Sequence, residues 1–148
     1  MLEQAIEWVS DLEAQVLESG TELAPNQLID ARLAGVKEPA RIRLLVAREI
    51  PVPQDVLLRA ANHQFQLVSA TGAGLTVGYA VILREGNEHK RHLLVHEFVH
   101  VGQYERMGVE GFLQEYLTQV IRNGYEGSPM EHEAKRRAQA ILGPNNQG

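Results

Sequence analysis

The segment His96-Glu97-Phe98-Val99-His100 constrains this chain more than any other feature. Two histidines four residues apart lie one turn apart on a helix, so both imidazoles project from one face and can converge on a single ion. Glu97 lies next to that face, where its carboxylate can take a proton from a metal-bound water while staying outside the ligand set. Around these residues Leu93, Leu94, Val95, Phe98, Val99 and Val101 point in nearly all directions of a helix predicted from about Lys90 to Arg106. A helix apolar all round is a buried one, and two imidazoles and a carboxylate are awkward groups to bury. One metal ion satisfies all three. The competing reading is a surface stripe satisfied by water and local ion pairs.

Composition narrows the donors. The chain has no cysteine, so a metal must be held by His, Asp or Glu. Its 148 residues, 44% of them hydrophobic, suit one globular domain, expected over residues 1–142 with 143–148 as a flexible tail. With 14 Lys+Arg against 19 Asp+Glu, the net charge of −5 supplies no basic field, and neither nucleic acid nor a membrane is an expected partner. The first residues carry acids where a secretory leader carries bases, and no apolar run reaches spanning length, so a cytoplasmic location is expected.

Periodicity supplies the remaining elements. Leu2, Ala5, Ile6, Val9, Leu12 and Val16 predict an amphipathic helix ended at Ser19-Gly20. Pro25 opens a second helix with Leu28, Ile29 and Leu33 on one side and Gly35 closing it. Arg41 to Ala47 reads as a strand stopped by Pro51-Val52-Pro53, and Gln54 to Phe65 as a helix with Val56, Leu57, Ala60, Ala61 and Phe65 inward. Leu75 to Arg84 alternates as one strand after the loop Thr71-Gly72-Ala73-Gly74. Val109, Phe112, Leu113, Tyr116, Leu117, Val120 and Ile121 predict a further helix closed by Gly124, and Ser128-Pro129 starts the last one, through about Leu142.

A zinc site of this kind needs a third protein ligand and an open fourth position. Six residues beyond His100 stands Arg106, and the place where metzincins carry glycine holds Gln103. The cluster Glu131-His132-Glu133-Ala134 at the start of the last helix remains. Here the chain resembles the gluzincins, zinc peptidases whose third ligand often appears as Glu-x-x-Ala in a later helix. That pattern nominates Glu131, with Glu133 or His132 as alternatives. Leu93-Leu94-Val95 before the motif and Val101-Gly102-Gln103-Tyr104 after it are similar to small bacterial gluzincin-like domains with His-Glu-x-x-His-x-x-Gln, and the likeness covers roughly residues 75 to 140.

The resemblance implies an α+β, zincin-like fold, with a small sheet packed on the motif helix and C-terminal helices completing a zinc cleft. It implies Zn2+ held by His96, His100 and Glu131, Glu97 as general base, and a peptide or protein substrate. In such folds an edge strand binds extended substrate, which points to Leu75–Arg84, where Gly78 and Ala80 either leave that face accessible or permit close helix packing. Tyr125 is the candidate donor to a developing oxyanion, against a plain packing role. His63, His89 and His92 have no convincing spacing to the motif, and Lys135-Arg136-Arg137 reads as a solvated helix face.

Three points weigh against the peptidase expectation. Many gluzincins carry Asp or Asn four residues after the ligand glutamate, to orient a metal-binding histidine, and Lys135 stands there. Ser128-Pro129-Met130-Glu131 is also a capping box, which offers the Glu131 carboxylate the Ser128 N–H. A chain this short should lack a second lobe, leaving selection shallow or supplied by a partner or by self-association. The rival expectation is therefore a catalytically weak or inactive zinc-binding domain that regulates or binds a peptide.

Overall fold

The computed structural model describes residues 1–143, so of the expected tail 143–148 only Gly143 falls within it. Among the described residues the chain is α+β, with five α-helices and a three-stranded mixed sheet. No helix among them is long and apolar enough to cross a membrane.

Helix α1 (Leu2–Ser19) buries Ala5, Val9, Leu12 and Val16, the stripe its periodicity predicts. Helix α2 (Pro25–Leu33) differs from expectation: Ile29 and Leu33 are exposed, and Asp30 and Ala31 are buried. The reason is an ion pair. Both Asp30 carboxylate oxygens accept from the Arg91 guanidinium at 2.8 Å, and this bidentate contact sets which side of α2 turns inward. Helix α3 (Val56–Phe65) likewise buries Leu58 and Ala61, while Val56, Leu57 and Ala60 are exposed. Its Asp55 cap, accepting from the Leu57 and Leu58 N–H groups, fixes where the first turn begins and so which residues face in.

The strand predicted over Leu75–Arg84 is instead a hairpin. Strand β2 (Gly74–Val77) pairs antiparallel with β3 (Ala80–Arg84), and β1 (Arg43–Ala47) pairs parallel with β3 on its other side. The loop is Gly78-Tyr79, with Gly78 at φ 66, the two-residue form with glycine first that suits the twist of paired strands. The space a Cβ would need at Gly78 is taken by the Glu13 carboxylate of α1, which accepts the Tyr79 N–H at 2.7 Å. Uninterrupted alternation hid the turn, because one glycine in a small-residue context looks like strand.

Strand β3 is the central strand and is covered on both faces. Ala80 and Ile82 pack in a core with Ala5, Val9 and Val16 of α1, whereas Val81 and Leu83 pack with Leu94, Val95 and Phe98 of helix α4 (Arg91–Asn123). Ala134 and Ala138 of helix α5 (Pro129–Leu142) join this second core. Ala80 is thus fully buried rather than accessible, and β1 and β2 are the edge strands, β1 carrying an isolated bridge from Leu44 to Thr21.

Helix α4 breaks at Gly108, where φ is 73 and ψ is 167. This region of backbone space belongs essentially to glycine. The break turns the second half of α4 back so that Phe112 stacks on Tyr104 at 3.6 Å and Tyr116 on Phe112 at 5.5 Å, both within reach of His100. A Cβ at Gly108 would meet no atom within 4 Å, so the backbone alone resists substitution. Gly108→Ala is therefore expected to destabilise the fold by about 1–3 kcal/mol in chemical denaturation; an unchanged midpoint would show that the break does not require glycine.

Candidate metal centre

The first half of α4 buries Glu97, His100 and Gln103 among Leu94, Val95, Phe98, Val99 and Val101, and α5 lies across it. Ser128 caps α5, its hydroxyl accepting the Glu131 N–H at 3.5 Å. The reciprocal half of the capping box does not form. The Ser128 N–H donates to the Tyr125 carbonyl, which leaves the Glu131 side chain for α4. There its Oε1 sits 3.2 Å from Nε2 of His96 and 3.2 Å from Nε2 of His100.

These three side chains form a group that could hold a metal ion, one donor atom from each lying within 4.8 Å of the others. The donor set fits. Ligands about 2.0–2.1 Å from a tetrahedral ion stand about 3.3–3.4 Å from one another, and the two oxygen–nitrogen separations of 3.2 Å are close to that. Among the described residues this is the one such group of His, Asp and Glu. Glu133 stands outside it and has another task.

That task concerns His100. Its Nδ1 lies 2.7 Å from the Gln103 amide oxygen, so Nδ1 carries a proton and donates, and Nε2 is turned toward Glu131. The Gln103 amide is held in turn, its Nε2 donating to the Met130 carbonyl at 3.1 Å and to Glu133 Oε1 at 2.8 Å, with Arg106 3.3 Å from that same oxygen. Gln103, fully buried, does the orienting expected of an acid at position 135. Lys135 points elsewhere, to Glu126 at 3.3 Å and to the face of the Tyr125 ring at 5.9 Å. The signal for Gln103 was present in the sequence as the third residue after His100, nearly one turn on.

Glu97 is buried beside the group without joining it. Its Oε1 accepts the Thr76 hydroxyl at 2.7 Å, and that hydroxyl lies 3.1 Å from the Glu97 carbonyl as well, which ties β2 to α4. A Cβ at Gly74 would come within 3.3 Å of Glu97 Oε2, so glycine there leaves the carboxylate its room.

His96, Glu97, His100 and Glu131 line a cleft of ≈ 1520 Å³. It is lined as well by Ala5, Trp8 and Val9 of α1, by Leu58 of α3 and by residues between Phe65 and Gly74. Two histidines set aside earlier, His63 and His92, also line it, and His92 Nε2 is buried with no partner among the described residues. His92 stands four residues before His96, the same one-turn spacing as the motif, and that was the overlooked signal. Tyr116 is a second omission. It reads as one more apolar-stripe residue, yet its hydroxyl donates to Glu131 Oε2 at 2.8 Å. Tyr125 is more exposed and lines the cleft near Glu131.

The charges are strongly coupled. Burial by itself would lower the His100 pKa, but the Glu131 and Glu97 carboxylates outweigh it and raise it to about 9. Burial would raise Glu131; the hydrogen bonds from His100, His96 and Tyr116 prevail and hold it far below the usual carboxylate range. Burial first, then the Glu131 charge, raises both Tyr116 and Tyr125 well above the ordinary phenol value, keeping them protonated donors.

Compared with known proteins, the chain matches no family model, no curated protein and no solved structure. The reading of this site therefore stands on its geometry.

Two outcomes follow. Without metal, the raised His100 contributes stability that is full below its unfolded value near 6.5 and is lost as pH rises through about 9. A metal ion must displace that proton, so its affinity, followed by chelator competition, should climb about tenfold per pH unit up to about pH 9; a flat profile would break the link. Gln103→Ala should weaken binding about 10- to 100-fold, Glu131→Gln more and Glu133→Gln less. A larger loss for Glu133→Gln than for Glu131→Gln would move the ligand role to Glu133.

Proposed function

We propose that the protein is a zinc-dependent peptidase of zincin-like fold, acting on peptide or protein substrates. The observation that carries this reading is the placement of Glu97: a buried carboxylate in the same cleft as the His96, His100 and Glu131 donors, with Thr76 fixing one of its oxygens. A structural metal needs no such neighbour. His96, His100 and Glu131 would hold the ion, which when bound lowers the pKa of its water to about 7 and polarises a carbonyl. Glu97 then acts through Oε2, next to Gly74. It takes a proton from the attacking water and returns it to the leaving amine, while the Thr76 hydroxyl keeps the carboxylate aimed. Tyr125, kept protonated by its surroundings, is placed on the cleft wall as a donor to the oxyanion.

The rival, a catalytically weak or inactive zinc-binding domain, drew on Lys135 and on the lack of a second lobe. Gln103 supplies the orientation that Lys135 does not, and this supports turnover. Glu97→Gln is expected to retain zinc and to reduce cleavage of unstructured peptides by about 10²- to 10⁴-fold. If wild type cleaves no member of a broad peptide library while binding some of them as well as Glu97→Gln does, the protein is a binding domain.

A further inference from the structure

The two oxygens of Glu131 have different company. Oε1 faces Nε2 of both His96 and His100 at 3.2 Å, and Oε2 receives the Tyr116 hydroxyl at 2.8 Å. The carboxylate is buried, 3% exposed, so it has little water with which to replace either set of partners. Tyr116 cannot easily swing away. Its ring stacks on Phe112 at 5.5 Å, Phe112 stacks on Tyr104 at 3.6 Å, and His100 meets Tyr116 edge-on at 6.5 Å. This stack bridges the Gly108 break, so the hydroxyl is carried by one half of α4 and the histidines by the other.

From this geometry we infer that Tyr116 is a positioning residue that makes Glu131 a one-oxygen ligand, and that in doing so it keeps the fourth coordination position open. A carboxylate is able to bind a cation through one oxygen or two. If both oxygens of Glu131 turned to the ion, the second would occupy the place a water or a substrate carbonyl needs. A hydroxyl donating to Oε2 opposes that turn, and it also fixes the carboxylate plane before metal arrives. The inference rests on the reading of His96, His100 and Glu131 as metal ligands, but it concerns a residue that neither the motif nor the Glu-x-x-Ala pattern contains.

The test compares wild type, Tyr116→Phe and Tyr104→Phe. The last removes a hydroxyl from the same aromatic stack at a ring that does not bond Glu131. Zinc affinity is measured by chelator competition, the visible spectrum of the cobalt-loaded protein reports coordination number, and melting of metal-free protein reports the fold. Tyr116→Phe is expected to weaken zinc about 10- to 100-fold and to shift the cobalt spectrum from a four-coordinate toward a five-coordinate form, with Tyr104→Phe matching wild type in both. If Tyr116→Phe only lowers the melting temperature and leaves affinity and spectrum as in wild type, its role is structural and the inference is overturned. Wild type that takes up no zinc overturns the metal reading, and this inference with it.

Discussion

One carboxylate oxygen shared between two imidazoles organises this molecule. Glu131 Oε1 joins α5 to α4 where it meets both His96 and His100, and the neighbouring contacts converge on that point. Gln103 sets the ring of His100, Met130 and Glu133 set Gln103, and Tyr116 holds the opposite oxygen of Glu131. Buried polar groups are tolerated only when satisfied, and here each satisfies the next. Such a network costs far more when half-made than when absent, so the packing of α5 on α4 and the geometry of the site cannot vary independently.

The sheet serves this arrangement from the other side. Its central strand is buried on both faces, between α1 and α4, so its edge strand β2 is held at a fixed height over the motif helix. Thr76 on β2 then meets Glu97. Three small or special residues make this approach feasible: Gly74 leaves space for the carboxylate, and Gly78 turns the hairpin under Glu13, while Ala80 lets the strand lie close to α1.

Much of this was legible in the residues. The 3-4 stripes located α1 and the second half of α4, apolar residues on all sides located its first half, and Ser128-Pro129 located the start of α5. One-turn spacing together with burial pointed to His96 and His100. What escaped was whatever depends on contacts between distant segments. The faces of α2 and α3 were misread because an ion pair from Asp30 to Arg91 and a cap at Asp55 decide their rotation, and short helices have too few apolar residues to overrule either. The hairpin was misread as one strand because β3, covered on both sides, lacks the polar interval that marks a turn. Gln103 and His92 stand at near one-turn spacing to the motif, but Gln103 and Tyr116 take their roles from partners on other elements, which no spacing discloses.

The parallel pairing of β1 with β3 has a consequence for how the chain assembles. Arg43 finds Ala80 across an intervening helix and strand, and His96 finds Glu131 across a loop of similar length, 35 residues. Closing such a loop is an entropic cost that must be met before any pairing rewards it, and it slows folding relative to neighbouring helices that meet locally. Topology therefore makes the ligand site as non-local as the sheet, and the contacts that seat α1 and α2, Glu13 with Tyr79 across 66 residues and Asp30 with Arg91 across 61, close longer loops still.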